Sequence, residues 1–482
     1  MSFVCRSTIL IAVAAAVVAG GCGDSPSPQD RYMDARMNEL GILYRQQNLL
    51  EWFYLTEGQP LTWAETYSTA DTLLRDSTAA LAVTRARATG NPLDGAFADA
   101  LWITRAERQT ADLEDSLRAI LPLRQRLRPA WRYSEAFDPA VAASGETFFR
   151  VHAAAFARGA ALQDSAQVRR RHFAGDADFA RRTIIALGLA ETDLDSILDS
   201  LWTASGTLLA DRLAGTGVVD LTGLLRLLES GNLAALAGSD VGAAPERCAD
   251  LFEGLGILVE RQSRLTLDWG LRAGKRSECA ALPVDAPRDV RLTAVPEAGF
   301  ATWSRYFHEM GLAQQALYIT AKEPLWRQGP RTIVQEGFAA LLEGLAATGA
   351  APDDLGRREV LAEAARLRDR VDLRLALMTI RHDRNWFAGA GMPNPDAAAY
   401  GEALGLTVSE AERNWLVAHR PPLRQALTRV MGTVLASRIA AGLVDRYGPE
   451  WHRSIAAGRE LKLRWSEGRA LGMAALRERI GE

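Results

Sequence analysis

Apolar residues recur at helical spacing through most of this chain, and that periodicity constrains the fold more than any other feature. Met33, Met37, Leu40 and Tyr44 share one helical face because they are separated by four, three and four positions. An apolar stripe of the same kind predicts a long amphipathic helix that reaches Met378. Segments rich in Ala, Leu and Arg, separated by Gly, Pro, Asn or Asp, predict further helices over residues 62–88, 94–124, 136–162, 165–188, 191–214, 423–446 and 458–480.

Strand patterns are scarce by comparison. Val290, Leu292 and Ala294 alternate with polar or small residues, which predicts one short strand. The chain has 482 residues, of which 48% are hydrophobic, and this is enough for a large core. The sequence therefore predicts a mostly α fold with two or three short strands. Its 56 basic and 59 acidic residues give a net charge of −3, which argues against a nucleic-acid-binding surface.

The predicted helix Trp303–Gln315 carries most of a zinc-peptidase motif. His308 and Glu309 stand where the sequence His-Glu-x-x-His would begin. In the complete motif, two histidines four positions apart bind one Zn²⁺, and the glutamate is the general base for the bound water. The second histidine position is occupied by Leu312, and Glu336 lies on the next predicted helix, 24 positions later.

Several further segments resemble the gluzincin metallopeptidases of the oligopeptidase and angiotensin-converting-enzyme-like type. The resemblance covers roughly residues 264–345 and the end of the chain. It implies a large helical two-lobed peptidase fold with a central cleft, in which His308 and Glu336 bind zinc and Glu309 is the base. It also implies an edge strand near residues 290–294, to which an extended peptide substrate would add. The segments concerned are Asp268–Cys279, Val284–Leu292, Arg446–Trp451, Ala457–Leu461 and Trp465–Gly468.

The chain departs from the motif at the metal ligands. Catalytic zinc needs three protein ligands and one open position, and Leu312 has no lone pair to offer. Gln314 and Gln315 are poor substitutes, whereas the distant His382, His419 and His452 could approach in the fold. Zinc is therefore possible but doubtful, and the sequence predicts weak or absent hydrolysis with His308 and Glu336 as a vestigial metal pair.

The oxyanion donor is a second departure. The resembling peptidases use a C-terminal Tyr or His to stabilise the tetrahedral intermediate. No Tyr occurs between Tyr400 and Tyr447, so His419 is the candidate donor. Glu343 is a candidate carboxylate partner for His308, with a solvated or ion-paired position as the alternative.

Three functions remain compatible with these residues. The first is a catalytically degenerate peptidase whose cleft binds peptides. The second is an active zinc metallopeptidase, of the oligopeptidase or peptidyl-dipeptidase type, with an atypical metal ligand. The third is a non-catalytic scaffold of the cell envelope.

The N-terminus has the pattern of a bacterial targeting segment. Arg6 precedes an apolar stretch of about ten residues, which is too short to span a bilayer. Ala19–Cys22 then resembles a lipoprotein box, with Cys22 as the lipidated residue; an ordinary signal peptide is the alternative. We therefore expect a signal peptide at 1–21, a flexible tether at 22–30 and one helical domain at 31–482. A lipid anchor predicts an extracytoplasmic position on the inner membrane, the outer membrane or the cell surface.

Two cysteines, Cys248 and Cys279, remain in the predicted domain. In an oxidising compartment they predict a disulfide that closes a loop of about 30 residues. Two unpaired thiols are the alternative.

Overall fold

The structure is a computed structural model, and most of the chain in it is helical. It describes residues 27–60, 63–71, 73–120, 149–175, 178–234, 243–276, 278–296, 300–346 and 355–468. Before the sheet, the helices of the described residues are α1 Pro28–Glu57, α2 Trp63–Thr69, α3 Asp76–Thr89, α4 Pro92–Arg108, α5 Ala111–Ile120, α6 Ala153–Ala174, α7 Asp178–Ala186, α8 Glu191–Leu213, α9 Leu221–Ala234 and α10 Ala244–Gly254. After the sheet come α11 Phe300–Tyr318, α12 Pro324–Gln328, α13 Ile333–Glu343, α14 Leu355–Phe387, α15 Ala397–Leu404, α16 Glu410–Ala418, α17 Leu423–Tyr447 and α18 Ile455–Ser466.

Between these two groups of helices, in chain order, lie three strands that form one sheet. Its strands are β1 Leu265–Trp269, β2 Ala280–Asp285 and β3 Asp289–Ala294, in the spatial order β1-β3-β2. Strand β3 is parallel to β1 and antiparallel to β2. The predicted strand at residues 290–294 is therefore present, but it lies in the centre of the sheet. The expectation that it forms the edge beside the cleft was wrong, and β2 has that position.

The core of the molecule is built around α11. Trp303, Tyr306, Phe307 and Met310 are all buried, so this helix is apolar on nearly every side. It packs against β2 and β3 on one side and against α13 on another, while α13 packs in turn on α17. Helix α17 is long and apolar enough to cross a membrane, but half of its most apolar stretch is buried here as a core helix.

The N-terminal helices form a second apolar cluster beside this core. Met33, Met37, Leu40 and Tyr44 are buried together, as their spacing predicted. Helix α1 begins at Pro28 because Ser27 and Asp30 form a capping box. The helix thus starts three residues before the predicted domain boundary, inside the predicted tether 22–30. The predicted signal peptide and Cys22 lie outside the described residues.

The mostly α fold with a central cleft and short strands is confirmed, although several predicted boundaries differ. The helix predicted over 94–124 is two helices, α4 and α5. The break predicted between 162 and 165 is absent, because Gln163 lies buried within α6. Pro421 and Pro422 do separate two helices, as expected from a ring that removes a backbone donor.

Candidate functional site

His308 lies between two carboxylates where α11 faces α13. Its Nδ1–H donates to Glu343 Oε2 at 2.9 Å, and its Nε2 lies 3.4 Å from Glu336 Oε1. Ser304, one turn earlier on α11, donates its hydroxyl to the other oxygen of Glu343 at 2.6 Å. The imidazole is held on both sides, and of the two positions that the sequence left open for Glu343, the structure shows the one beside His308.

Close helix packing brings these side chains together. A Cβ at Gly311 of α11 would lie 3.2 Å from the Cα of Ala339 on α13, so a larger residue would push the two helices apart. On the other side of α13, a Cβ at Gly432 of α17 would lie 2.7 Å from Glu336 Cγ. The capping box of Thr332 and Gln335 fixes the start of α13, which places Glu336 in its first turn. Small residues at the helix crossings therefore set the position of both glutamates.

The charges of this group compensate each other. Burial by itself would lower the pKa of His308, but hydrogen bonds to Glu336 and Glu343 and their negative charges outweigh burial and raise that pKa to about 10. Burial would raise the pKa of Glu343, but the hydrogen bond and charge of His308 lower it to about 2. The pKa of Glu336 is lowered in the same way. His308 is thus an imidazolium at neutral pH, between two carboxylates.

Arg429 of α17 adds a second positive charge beside the glutamates. Its guanidinium donates to Asp372 Oδ2 on α14 at 2.8 Å, and the charge of Asp372 is the main reason that its own pKa is raised. Arg429 also contributes to lowering the pKa values of Glu336 and Glu343. Glu336 in the first turn of α13 and Glu343 at its last position therefore both have cationic neighbours from the protein itself.

Glu309 is engaged away from His308. Its Oε2 accepts hydrogen bonds from the backbone N–H of Ala281 at 2.8 Å and from Arg331 Nη2 at 3.1 Å, and its Oε1 lies 3.5 Å from Arg331 Nη1. Its side chain is only 11% exposed, whereas that of Arg331 is 44% exposed on the cleft side. Glu309 therefore joins α11 to the edge strand β2 and to the loop before α13.

The residues present do not complete a catalytic zinc site. Two ligands of one tetrahedral zinc, each about 2.0–2.1 Å from the metal, lie roughly 3.3 Å apart. The 3.4 Å between His308 Nε2 and Glu336 Oε1 matches that spacing. The third ligand is missing, because Leu312 occupies the position of the second histidine. Its apolar side chain is 7% exposed and belongs to the main core cluster. In the part of the chain that the structure describes, no group of three His, Cys, Asp or Glu residues could hold a metal ion.

The other predicted histidines do not complete it either. His419 lines the same cleft, but its Nδ1–H donates to the Trp415 carbonyl at 2.7 Å. The Nδ1–H of His419 is thus used by its own helix and is not available to an oxyanion. His382 lies 3.7 Å from Asp383 on α14, and His452 belongs to a short 3-10 helix after α17.

Cys248 and Cys279 are both free thiols in the structure, so the predicted disulfide is not formed there. Burial raises the pKa of both thiols well above the usual value, and the charge of Cys279 adds to the shift at Cys248. The alternative of two unpaired thiols is the arrangement that the structure shows.

A cleft of about 940 Å³ opens above this group. Its walls come from α1, the edge strand β2 and helices α11, α13, α14, α16 and α17. Side chains of both charge signs line it, among them Glu51 and Arg118. Nη1 of Arg118 donates to both carboxylate oxygens of Glu51, at 2.8 Å to Oε1 and 2.7 Å to Oε2.

Comparisons with known proteins identify the architecture. The carboxypeptidase of Pyrococcus furiosus, in a structure described as Apo-Mg, matches with a TM-score of 0.57 and 13% identity over 95% of this chain and 96% of that one. The M32 carboxypeptidase of Deinococcus radiodurans R1 matches with a TM-score of 0.57, 15% identity and coverage of 95% and 96%. Metallocarboxypeptidase 1 of Trypanosoma cruzi matches with a TM-score of 0.54, 13% identity and coverage of 95% and 97%. The chain has the fold of the M32 carboxypeptidases. No protein-family model and no curated protein matches it.

This finding corrects the family suggested by the sequence. The resemblance to oligopeptidases and angiotensin-converting-enzyme-like gluzincins was wrong, because the matching structures are M32-type metallocarboxypeptidases over nearly the whole length of both chains. His308, Glu309 and Glu336 describe one pair of helices beside the cleft. They carry no information about the arrangement of the other helices, so they could not separate one helical peptidase family from another.

Sequence reasoning missed three groups of the site. Arg331, Arg429 and the backbone N–H of Ala281 hold the carboxylates of α11 and α13. Arg331 lies just before the capping residue of the helix that carries Glu336, which was a usable signal. Arg429 and Ala281 carry no local signal, because only the packing of α17 and β2 brings them to the site.

Proposed function

We propose that this protein binds peptides in a carboxypeptidase-like cleft and does not hydrolyse them through a metal. The observation that carries the proposal is the pair of residues on α11: Leu312 stands one turn after His308, and His308 is ion-paired to Glu336 and Glu343. A catalytic zinc site needs three protein ligands, and the residues that the structure describes offer no third one here.

The state of Glu309 supports the same conclusion. A general base must reach the proton that it removes, directly or through one water molecule. Both oxygens of Glu309 lie within 3.5 Å of donors on β2 and Arg331. The residue in the base position is thus used to hold the edge strand and the loop before α13.

The shape of the cleft supports a small peptide or peptide-like ligand. Its volume of about 940 Å³ is at the upper end of the range for small-molecule sites, roughly 300–1,000 Å³. The edge strand β2 runs along one wall, and charged side chains of both signs face the space. Such a surface suits a ligand with carbonyl, amide and charged groups.

Zinc content tests the loss of the metal site. We expect purified protein to hold far less than one zinc per chain after dialysis, and Leu312→His to approach one, because the variant supplies the missing imidazole. Leu312→Met is the matched control: it keeps an apolar side chain of similar volume and should stay metal-poor. A stoichiometry near one in the unaltered protein would contradict the proposal and favour an active metallopeptidase, which the retained 3.4 Å spacing of His308 and Glu336 would allow.

Calorimetric titration with N-blocked oligopeptides tests peptide binding. Gln425 is exposed and lines the cleft, so Gln425→Trp should weaken binding by filling the space with an indole. Gln59→Trp is the control, because Gln59 is also exposed but does not line the cleft. If no peptide binds, or if both variants weaken binding equally, the scaffold alternative replaces this proposal.

The lipid anchor is a separate proposal, supported by the sequence Ala19–Cys22 after an apolar stretch. We expect the full chain to label with radioactive fatty acid and to sediment with bacterial membranes. Cys22→Ser should remove the label and release the protein, whereas Cys5→Ser should change neither outcome. Unaltered membrane association of Cys22→Ser would refute the anchor.

A further inference from the structure

The edge strand β2 lines the cleft, and two of its main-chain groups are hydrogen-bonded to side chains of other elements. In the register of the sheet, Ala280, Ala281 and Leu282 lie opposite Thr293, Leu292 and Arg291 of β3. The N–H of Ala281 donates to Glu309, and the carbonyl of Pro283 accepts from the Asn48 side-chain amide at 3.0 Å. Proline has no N–H, so of Ala281 and Pro283 only Ala281 can supply a backbone donor.

The Ala281 N–H works together with a guanidinium. Arg331 approaches the same oxygen of Glu309 from the loop before α13, and the second nitrogen of its planar fork lies near the other oxygen. The loop itself is held by Arg424, which donates to the Arg331 carbonyl at 2.7 Å. One backbone N–H and one guanidinium thus form a preset donor group for a carboxylate.

We propose that Glu309 fills a carboxylate-binding site formed by the Ala281 N–H and Arg331, and that a ligand carboxylate takes this position when a peptide enters the cleft. Three observations carry this step: the side chain of Glu309 is only 11% exposed, its donors belong to two other elements, and the side chain of Arg331 is 44% exposed and lines the cleft. A ligand approaching from the cleft can therefore reach Arg331 without unpacking the core.

This inference rests on the proposed peptide-binding role of the cleft, but its test is independent of peptide binding. Glu309→Ala removes the carboxylate and leaves both donors in place with a gap between them. Formate and acetate are the probes, because they are the smallest molecules that carry the missing group. We expect Glu309→Ala to melt at a lower temperature than the unaltered protein, and its melting temperature to rise with formate concentration and to saturate.

Two variants serve as matched controls. Glu309→Gln fills the gap with a neutral side chain of the same size, so formate should bind it at least about tenfold more weakly than it binds Glu309→Ala. The double variant Glu309→Ala/Arg331→Gln keeps the gap but removes the guanidinium, and it should also lose the effect. Sodium chloride at equal ionic strength should stabilise none of the variants selectively.

Two results would overturn the inference. If formate stabilises Glu309→Gln or the double variant as much as Glu309→Ala, the donor group is not a carboxylate site and the inference fails. If Glu309→Ala does not accumulate in folded form, Glu309→Ser offers the same gap with a small polar side chain, and the absence of formate binding there overturns the inference.

Binding experiments with matched sets of peptides then show whether the ligand carboxylate is the peptide C-terminus or an acidic side chain. Peptides with a free C-terminus are compared with C-terminally amidated ones, and peptides with Glu side chains with their Gln counterparts. If amidation lowers the affinity, the C-terminal carboxylate displaces Glu309. If the change from Glu to Gln lowers it, a side-chain carboxylate does so. If neither change lowers the affinity while formate still binds Glu309→Ala, the carboxylate site exists but the displacement step is wrong. If no peptide binds at all, the proposed function fails and the formate result stands on its own.

Discussion

Two buried ionic groups of this protein face the same cleft, and they differ in how completely the fold encloses them. Arg420 and Asp383 form an ion pair in which the side chains are only 1% and 2% exposed. At the second group, His308, Glu336 and Glu343 are 13%, 11% and 26% exposed, and the nearby Arg429 is 52% exposed. The first group is closed to solvent, and the second remains open to a ligand.

The hydrogen bonds of the two groups show the same difference. Arg420 also donates to Asn394 and to the hydroxyl and carbonyl of Thr379, and Gln167 of α6 donates to Asp383. These contacts join α6, α14, the segment before α15 and the segment between α16 and α17. In contrast, within the described ranges, Nε2 of His308 has only the 3.4 Å contact with Glu336. The comparison indicates that the Arg420 group is enclosed by hydrogen bonds from several elements, whereas the His308 group is more open to solvent and has fewer such partners.

The largest expected effect is on the closed group. Asp383→Ala leaves a buried guanidinium without its carboxylate, and we expect the free energy of unfolding to fall by about 3–5 kcal/mol. Urea unfolding measures this change. If Asp383→Ala loses less free energy of unfolding than His308→Ala, the enclosed group is not the more stabilising of the two.

A smaller effect is expected at the open group. His308→Ala removes the cation between Glu336 and Glu343, but Arg429 and solvent remain close to both. We expect a loss of about 1–3 kcal/mol in urea unfolding at pH 6 with a chelator present, so that no metal ion contributes. An unchanged stability would mean that the imidazolium pair has no net value in the fold.

The pH dependence of the open group has a defined sign. The pKa of Glu343 is lowered to about 2 from 4.5, so its contribution is complete above pH 4.5 and is lost as the pH falls towards 2. The pKa of His308 is raised to about 10 from 6.5, so its contribution is complete below pH 6.5 and is lost as the pH rises towards 10. Glu343→Gln should therefore differ most in stability from the unaltered protein between pH 4.5 and 6.5. A difference that grows from pH 7 to pH 9 would contradict this assignment.

The smallest effect is expected at an exposed pair on the same helix as Asp383. Arg384 pairs with Asp195, but these side chains are 26% and 61% exposed. Arg384→Ala should cost about 0.2–1 kcal/mol, because solvent screens the pair. This variant is the control for Asp383→Ala: a similar loss in both would show that enclosure does not determine the energy.

Local sequence determined a large part of this protein. The helical spacing of residues such as Met33 and Leu40 fixed the class of fold, since an apolar stripe must be buried against another element. Proline at 421 and 422 fixed a helix boundary, and the His308, Glu309 and Glu336 spacing located the site on two helices. Leu312 was also readable, because the position four residues after His308 lies on the same helical face.

Only the tertiary structure decided how that site is completed. The pairing of Glu309 with Ala281 and Arg331, the charge of Arg429 beside Glu336, and the edge position of β2 all join residues far apart in the chain. Such contacts depend on helix crossings and strand order, and the local pattern of a single sequence does not specify either. For the same physical reason, the family of the fold became evident from the arrangement of the helices and not from the motif.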